Sequence, residues 1–145
     1  MTEDEFRMVK DDAVTQVQGA YADFKAGDIG SLLSRCTDDI DWETPGAGTA
    51  IPYAGPIKGK AAVGQFFQSL NDTVEFHDFQ TREFISSDDT VVTLGLFDAT
   101  VRATGIRVAE EFAMVFRLRG DKIVKFREYS DSRRLAEAFA APPKK

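Results

Sequence analysis

The sequence predicts an α+β fold in which helices come first and an antiparallel sheet follows. Between residues 9 and 70, apolar residues recur mainly at three- and four-residue intervals, which is typical of helices. From residue 73 to residue 130 they alternate with polar residues between short turn sequences, which is typical of antiparallel strands. The chain has 145 residues, 43% of them hydrophobic, so it can form one domain with its own core.

The first helix is predicted over residues 9–24. Its apolar face consists of Val9, Ala13, Val17, Ala20, Tyr21 and Phe24. Gly27 is placed to end this helix, and Asp28 to cap a second, shorter one. The second helix carries Ile29, Leu32, Leu33 and Cys36. Because the connection is short, the two are expected to form a helical hairpin.

Two further helices flank the predicted sheet. The third covers residues 60–70, with Val63, Phe66, Phe67 and Leu70 on one face. Ser132 can cap the fourth, which carries Leu135, Ala136 and Phe139. A single domain is therefore predicted over residues 9–140, with an N-terminal extension over 1–8 and a disordered tail over 141–145.

The segment 45–59 has the composition of a loop. Its turn-forming residues are Pro45, Gly46, Gly48, Pro52, Gly55, Pro56 and Gly59. A loop this long in a small domain is either a functional lid or an irregular surface excursion, and the sequence leaves both readings open. Before it, Ile40 and Trp42 alternate with polar residues, which predicts a short strand.

Four strands are predicted over residues 73–86, 90–103, 106–118 and 122–130, with turns between them. Their succession indicates an antiparallel meander. In the third of these strands, one face is predicted to be buried because it carries the larger apolar residues. That face is Ile106, Val108, Glu110, Phe112, Met114, Phe116 and Leu118.

The turns set the register between the strands. A three-residue turn at 119–121 pairs Phe112 with Glu128, and it is favoured because a two-residue turn would place Phe116 opposite Lys125. At the other end of the strand, a two-residue turn is expected at Thr104 and Gly105.

The second turn places small residues opposite large ones. Gly95 then faces Met114, Phe97 faces Phe112, and Ala99 faces Glu110. Such pairs either interdigitate as a packed core or leave a hollow, and both readings remain open.

Two carboxylates on the buried face are the main functional signal. In the predicted register Glu110 and Glu128 are diagonal neighbours, with β-carbons roughly 7 to 8 Å apart. Burying two anions among aromatic residues costs free energy, so water, a cation, a ligand or protonation must accommodate them. We therefore expect at least one to have a raised pKa and to transfer a proton. Alternatively, each pairs with an arginine or lies at the sheet rim.

Three other residues are weaker candidates. His77, the one histidine, lies on a predicted strand and is either structural or a third polar group of the site. The hydroxyl of Tyr21 either points into a cavity or only packs. Cys36, among apolar neighbours, is expected to be a core residue.

Composition excludes several classes of partner. The net charge is −6, and no basic run exceeds Lys144 and Lys145, so nucleic acid and anionic membranes are unlikely ligands by charge. One cysteine and one histidine supply no zinc cluster, so neither a metal nor a cofactor is expected. No apolar stretch approaches ~18 residues and no signal sequence is evident, so we expect a cytoplasmic protein without a membrane segment.

Four motifs in the predicted order of elements carry a family resemblance. They are residues Tyr21–Asp28, Trp42–Pro45, Tyr53–Lys60 leading to Val63 and Phe66–Phe67, and Phe126–Asp131. Over about residues 9–140 the chain resembles the nuclear transport factor 2-like superfamily, in particular its SnoaL-like branch, which is related to ketosteroid isomerase.

The resemblance implies a cone-shaped, cystatin-like fold, in which a curved antiparallel sheet wraps around the N-terminal helices and encloses an apolar pocket. The expected ligand-binding residues are Tyr21, Trp42, Tyr53, Phe66, Phe97, Phe112, Met114 and Phe126, with Glu128 among them. The family is commonly dimeric, which implies a homodimer through the outer sheet face. The apolar residues of that face are Leu94, Leu96, Ala113, Val115 and Ile123.

The resemblance says little about the reaction, because this fold carries many chemistries. By position, the general base of ketosteroid isomerase falls at Thr44, and its oxyanion donors near Ala20 and Met114, so that mechanism is not expected. The Arg-x-Asp positions of limonene epoxide hydrolase fall at Gly95 and Phe97, so that set of residues is also incomplete.

Three functions remain open. The first is an isomerase, lyase or hydrolase acting on a small apolar, cyclic or polyketide-like molecule, with Glu128 as the proton-transfer group and Glu110 and His77 as further catalytic candidates. The second is a non-catalytic module that binds a small ligand in the same pocket. The third is a dimeric interaction module with a vestigial cavity.

Overall fold

The computed structural model describes the backbone of residues 3–145 and the side chains of residues 12–145. The first half of the chain forms α1 (Glu3–Lys25), α2 (Ile29–Ser34), β1 (Cys36–Thr44), β2 (Gly55–Lys58) and α3 (Lys60–Thr73). The second half forms β3 (Val74–Ser87), β4 (Thr90–Val101), β5 (Arg107–Arg119), β6 (Lys122–Ser130) and α4 (Arg133–Ala140). The predicted α+β class is confirmed.

All six strands belong to one sheet, in the order β2-β1-β6-β5-β4-β3. The meander β3 to β6 is antiparallel as predicted, whereas β1 pairs with β6 in parallel. Strand β2 lies within the segment 45–59, which was predicted to be entirely loop, and it pairs with β1. Helices α1, α2 and α3 pack against the inner face of the sheet, where the apolar residues of both layers form one core.

The helix ends follow the local chemistry of the sequence. Asp28 caps α2 as expected, because its Oδ1 accepts a hydrogen bond from Ser31 N at 3.1 Å. Ser132 holds the N-cap position of α4 as predicted but makes no side-chain capping bond, and Asp131 Oδ1 instead accepts a hydrogen bond from Arg133 N at 3.0 Å. Cys36 begins β1 rather than lying in α2, and its side chain is buried.

The ends of the chain also differ from expectation. Helix α1 begins at Glu3 rather than at Val9. The side chains of the predicted extension 1–8 lie outside the described residues. At the other end, residues 141–145 were expected to be disordered, but Lys144 N donates a hydrogen bond to Ala103 O at 2.9 Å.

The three-residue turn predicted at 119–121 was wrong, because the structure has a two-residue turn followed by a β-bulge. Arg119 pairs with Lys122 across a two-residue loop, and the register then shifts so that Val124 is left without a partner. Beyond this shift, apolar residues of β5 and β6 again lie opposite one another, as Phe116 and Phe126 do. Glu128 consequently pairs with Met114 and not with Phe112.

The bulge also reverses the alternation of β6. Ile123, which was predicted on the outer face, is 1% exposed and belongs to the core. Residues 126 and 128 nevertheless keep their predicted inward direction, because they lie beyond the extra residue.

The turn at 104–105 is longer than predicted. Val101 N donates to Ile106 O at 2.9 Å, so the loop contains residues 102–105. Gly95 therefore pairs with Phe112, and Phe97 pairs with Glu110. The small residue at position 95 does not leave a hollow, since a β-carbon there would lie 2.6 Å from Phe112 Cζ and would also clash with the carbonyl oxygen of Gln80.

We expect Gly95→Ala to destabilise the fold by about 1–3 kcal/mol, because both the Phe112 ring and the backbone of β3 must move. Gly30→Ala in α2 is the matched control, since its nearest neighbour, Asp28 Oδ1, lies 3.8 Å away. Urea unfolding measures both variants. Equal stability of the two would contradict the close contact at Gly95.

Candidate functional site

A cavity of about 100 Å³ lies between the inner face of the sheet and the helices. This is roughly seven to ten times the space that one ordered water requires, so it is larger than a packing defect. Its wall is apolar except near β6, where Glu128, Ser130 and Asp131 line it together with Thr44. The cavity therefore has a single polar region.

The structure brings most of the predicted site residues to this cavity. Those that line it are Tyr21, Trp42, Tyr53, Phe66, Phe97, Met114, Phe126 and Glu128. Phe112 is not among the lining residues. Its ring fills the space beside Gly95 and stacks on Phe79, with ring centroids 5.3 Å apart.

Glu128 is held on the central part of the sheet, since β6 lies between β1 and β5. Its Oε2 accepts a hydrogen bond from Ser130 Oγ at 2.9 Å. No cation pairs with it among residues 12–145. Burial raises the pKa of Glu128, and the hydrogen bond from Ser130 only partly opposes this effect.

Glu128 belongs to a row of inward side chains that crosses the sheet. It pairs with Met114 of β5, which pairs with Thr93 of β4. On the other side of Glu128 lies β1, which runs parallel to β6 and pairs Trp42 with Phe126 and Glu43 with Arg127. The next residues in this register are Thr44 and Glu128, so Thr44 lies beside Glu128. The carboxyl is thus flanked by a hydroxyl and a thioether, neither of which is charged.

Two polar atoms of residues in the cavity wall are buried without a partner. Within the described part of the chain, no hydrogen bond is made by Trp42 Nε1 or Thr44 Oγ1. Leaving such groups unsatisfied costs about 1–3 kcal/mol each. Both residues line the cavity, as Glu128 does.

Two tyrosines add further neutral donors. Burial raises the pKa of Tyr21 and of Tyr53, and the charge of Glu128 adds to the effect in both cases. The hydroxyl of Tyr21 donates to Met114 Sδ at 3.1 Å. Both phenols are therefore protonated at any ordinary pH and can act only as hydrogen-bonding or packing groups.

Glu110 is not brought to the cavity. It lies four residues from Met114 along β5, which is about 13 Å from the level of Glu128. Its Oε1 accepts from Arg134 Nε at 2.8 Å, and its side chain is 12% exposed. The two glutamates are therefore not diagonal neighbours, and the arginine pairing left open by the sequence applies to Glu110 alone.

His77 is also distant from Glu128. It is the extra residue of a bulge in β3, between Phe76 and Asp78, and its ring nitrogen Nε2 lies 2.7 Å from Thr100 Oγ1. The side chain is exposed and lines a separate groove instead of the cavity.

Several lining residues were missed by sequence reasoning. They include Phe24, Thr44, Phe67, Phe76, Phe79 and Phe116. The twelve phenylalanines of the sequence fit an aromatic cavity and a packed aromatic core equally, so their number did not single out these residues. Their convergence depends on how α1 and α3 cross the sheet, which hydrophobic periodicity does not encode.

Two further properties concern the described residues as a whole. No three of their His, Cys, Asp or Glu side chains are grouped so that they could hold a metal ion. None of the helices within that same part of the chain is long and apolar enough to span a membrane.

Comparisons with known proteins agree with the fold. The SnoaL-like domain family matches residues 17–126. A nuclear transport factor 2-like protein from Burkholderia xenovorans is 28% identical, with a TM-score of 0.82 over 90% of this chain and 97% of the other. A comparison with curated proteins found no match.

Two other solved structures carry functional names. A candidate SnoaL-like polyketide cyclase from Mesorhizobium loti, also named a carbohydrate phosphatase, is 25% identical, with a TM-score of 0.67 over 80% of this chain and 97% of the other. A candidate isomerase from Bacillus subtilis is 23% identical, with a TM-score of 0.76 over 92% of this chain and 97% of the other; at that identity the likeness concerns the fold alone.

The raised pKa of Glu128 has a consequence for stability. The folded protein keeps this proton to a higher pH than the unfolded chain, so between the two pKa values it binds more protons. The free energy of unfolding therefore falls as pH rises through that interval, by about 1.4 kcal/mol for each unit of difference. We expect Glu128→Gln to remove this fall, so that the variant is more stable than the wild type at about pH 8.

Urea unfolding between about pH 4 and pH 8 measures the difference. Glu110→Gln is the control, because it makes the same change at a carboxyl that is paired with Arg134. Wild type and Glu128→Gln with the same dependence on pH would show that the carboxyl of Glu128 is solvated.

Proposed function

The chain belongs to the SnoaL-like domain family, and we propose that it is an enzyme that transfers a proton within a small, largely apolar, cyclic or polyketide-like molecule. The reaction is an isomerisation, an elimination or a hydrolysis, and it uses Glu128 as the proton-transfer group. The observation that carries the proposal is a buried carboxyl in the wall of an apolar cavity, with no cationic partner among the described residues.

The environment of Glu128 suits both directions of proton transfer. Burial raises the pKa of its carboxyl, which makes the carboxylate a stronger base and favours the acid form that returns the proton. The carboxylate takes a proton from the bound molecule, and the resulting acid returns it to another atom of the same molecule. The apolar wall strengthens the base because it solvates the charge poorly.

The neighbouring groups would orient the substrate. Trp42 stacks on Phe126 with ring centroids 3.9 Å apart and planes inclined by 25°, which provides a flat apolar surface. Trp42 Nε1 and Thr44 Oγ1, both without partners, supply hydrogen bonds to a carbonyl or hydroxyl oxygen. A planar ring that carries one such oxygen fits this combination. The cyclase name given to the related structure from Mesorhizobium loti is in line with such a substrate.

The proposal can be tested with 5-nitrobenzisoxazole, a small planar probe of carboxylate bases. A base removes the ring C–H proton while the N–O bond breaks, and the cyanophenolate product absorbs visible light. We expect the wild type to accelerate this elimination and Glu128→Gln to lower the rate roughly 100-fold. The rate should rise with pH as Glu128 loses its proton, because the carboxylate is the active form.

Glu110→Gln is the matched control, and it should keep most of the activity because Glu110 does not line the cavity. A Glu128→Gln variant as active as the wild type would refute the catalytic role. Binding of the probe without acceleration in the wild type would instead favour a ligand-binding module.

We further propose that the protein is a cytoplasmic homodimer that pairs through the outer face of the sheet. Leu94, Leu96, Ala113 and Val115 are only partly buried there, and Tyr129 is 60% exposed. A second copy would cover this apolar surface. The one cysteine, Cys36, is a buried free thiol, which suits a reducing compartment.

Sedimentation equilibrium at micromolar concentration should give twice the mass of the chain. Val115→Lys places a charge in the centre of the apolar face, and it should produce a monomer. Glu137→Lys, on the exposed side of α4, should leave the dimer intact. A monomeric wild type would exclude this assembly.

A further inference from the structure

A second depression, which we call the outer groove, lies where α1, α3 and β3 meet at one end of the molecule. Its polar rim contains Lys25, Gln68, Asn71, His77 and Arg102. The rim also contains acidic residues, so its charges are mixed, and it does not select strongly for an anion or a cation. The floor of the groove is apolar.

The floor of the outer groove is also the wall of the inner cavity. Six residues line both spaces, namely Phe24, Phe67, Leu70, Val74, Phe76 and Phe79. A single layer of side chains therefore separates the cavity from the surface at this end. Three of the six, Phe24, Phe76 and Phe79, are partly exposed, and we call them the aromatic partition.

The rings of the aromatic partition contact one another as well as rings outside it, since Phe79 also stacks on Phe112 at 5.3 Å and Phe24 lies 5.9 Å from Phe67. Phe24 meets Phe76 with centroids 5.8 Å apart and Phe79 at 5.2 Å, and Phe76 meets Phe79 at 5.8 Å, all in edge-to-face arrangements. Such a contact contributes about 0.5–1.5 kcal/mol beyond its buried area. Rotating one ring out of the layer therefore breaks a small number of weak contacts and no hydrogen bond.

The backbone behind two rings of the partition, Phe76 and Phe79, belongs to an edge of the sheet. Strand β3 is an edge strand that pairs only with β4. It carries a bulge between Phe76 and Asp78, and the bulged residue, His77, is tied to β4 by the contact of its ring with Thr100. Edge strands and bulges open at lower free energy than central strands.

The partition lies far from the polar region of the cavity. Phe76 pairs with Ala99, and Ala99 is six residues along β4 from Thr93, which lies in the same row as Glu128. That separation corresponds to about 20 Å along the strand. Phe79 pairs with Phe97, four residues from Thr93, which corresponds to about 13 Å, so the partition and the carboxyl line different parts of the cavity.

We propose that the aromatic partition is a gate, and that uncharged apolar ligands pass from the outer groove through it into the cavity. The gate admits ligands that are narrow and lack charge, because a charged group would lose its hydration while passing three phenyl rings. The proposal uses the same cavity as the proposed function. It does not depend on proton transfer, so a binding measurement tests it separately from turnover.

Stopped-flow binding of N-phenyl-1-naphthylamine, an uncharged apolar dye that fluoresces when buried, gives the rates of passage. Phe79→Ala removes one ring of the gate, so it should raise both the association and the dissociation rate constants about tenfold. Phe84→Ala is the matched control, because Phe84 is a partly buried phenylalanine of the same strand that packs on Tyr21 and lines neither space. It should change the rates less than about twofold.

Blocking each end of the cavity in turn distinguishes entry through the aromatic partition from entry near Glu128. Gln68→Cys, in the outer groove, and Ser132→Cys, near Glu128, can each be modified with a bulky maleimide. The native thiol does not interfere, since burial raises the pKa of Cys36 to about 11 and removes it from the reagent. We expect modification at position 68 to slow dye association about tenfold and modification at position 132 to leave it almost unchanged.

The proposal would be overturned if dye association slowed only after modification at position 132. It would also be overturned if Phe79→Ala left the association and dissociation rate constants unchanged. Failure of both the wild type and Phe79→Ala to bind the dye would also overturn it, because a gate must lead to an accessible cavity. Normal passage of the dye in a protein without eliminase activity would leave the gate in place and refute only the proton-transfer function.

Discussion

The site depends on the burial of one carboxyl group without a compensating cation. Glu128 faces an apolar cavity and the hydrogen bond from Ser130 only partly offsets its desolvation, so ionising it costs free energy that a solvated or paired carboxyl does not lose. Glu110 shows the contrast within the same sheet, because Arg134 lies 2.8 Å from its oxygen. The two glutamates therefore differ in what each meets, since both face the inner side of the sheet.

The side chains beside Glu128 on the sheet do not neutralise its charge. Its row across the sheet contains Thr44, Met114 and Thr93, none of which can neutralise a charge. The arginine nearest along β6, Arg127, faces outward and is occupied by Asp41 and Glu43 at 3.1 and 3.2 Å. The alternation of a strand thus keeps the basic side chain on the opposite face of the sheet, where two carboxylates of β1 hold it.

Hydrophobic alternation predicted the inward direction of Phe126 and Glu128, but neither the face of Ile123 nor the register between the strands. A three-residue turn without a bulge and a two-residue turn followed by a bulge at Val124 both direct Phe126 and Glu128 inward, so the pattern cannot distinguish them. The two turns differ in the residues that they pair across the strands. The predicted turn pairs Phe112 with Glu128, which is why Glu110 was expected near Glu128.

The pairing of Glu110 with Arg134 was unpredictable for another reason: it requires the position of α4 relative to β5, which local periodicity does not contain. The aromatic lining was predicted only in part: Trp42, Phe97 and Phe126 were expected in the pocket, whereas Phe24, Phe76 and Phe79 reach it through the packing of α1 and β3, which local periodicity does not contain.

The positions of the carboxyl and the aromatic partition divide the sheet into two parts with different mechanical properties. Glu128 lies on β6, which is hydrogen-bonded on both sides, and a group that must meet a substrate in a defined geometry benefits from such support. Phe76 and Phe79 lie on β3, which is bonded on one side and interrupted by a bulge. If access required movement of β6 or its neighbours, each opening would disturb the geometry of the carboxyl. Movement confined to the edge strand and to the end of α1 leaves that geometry intact, so the proposed proton-transfer group would stay in place while a ligand passes the proposed gate.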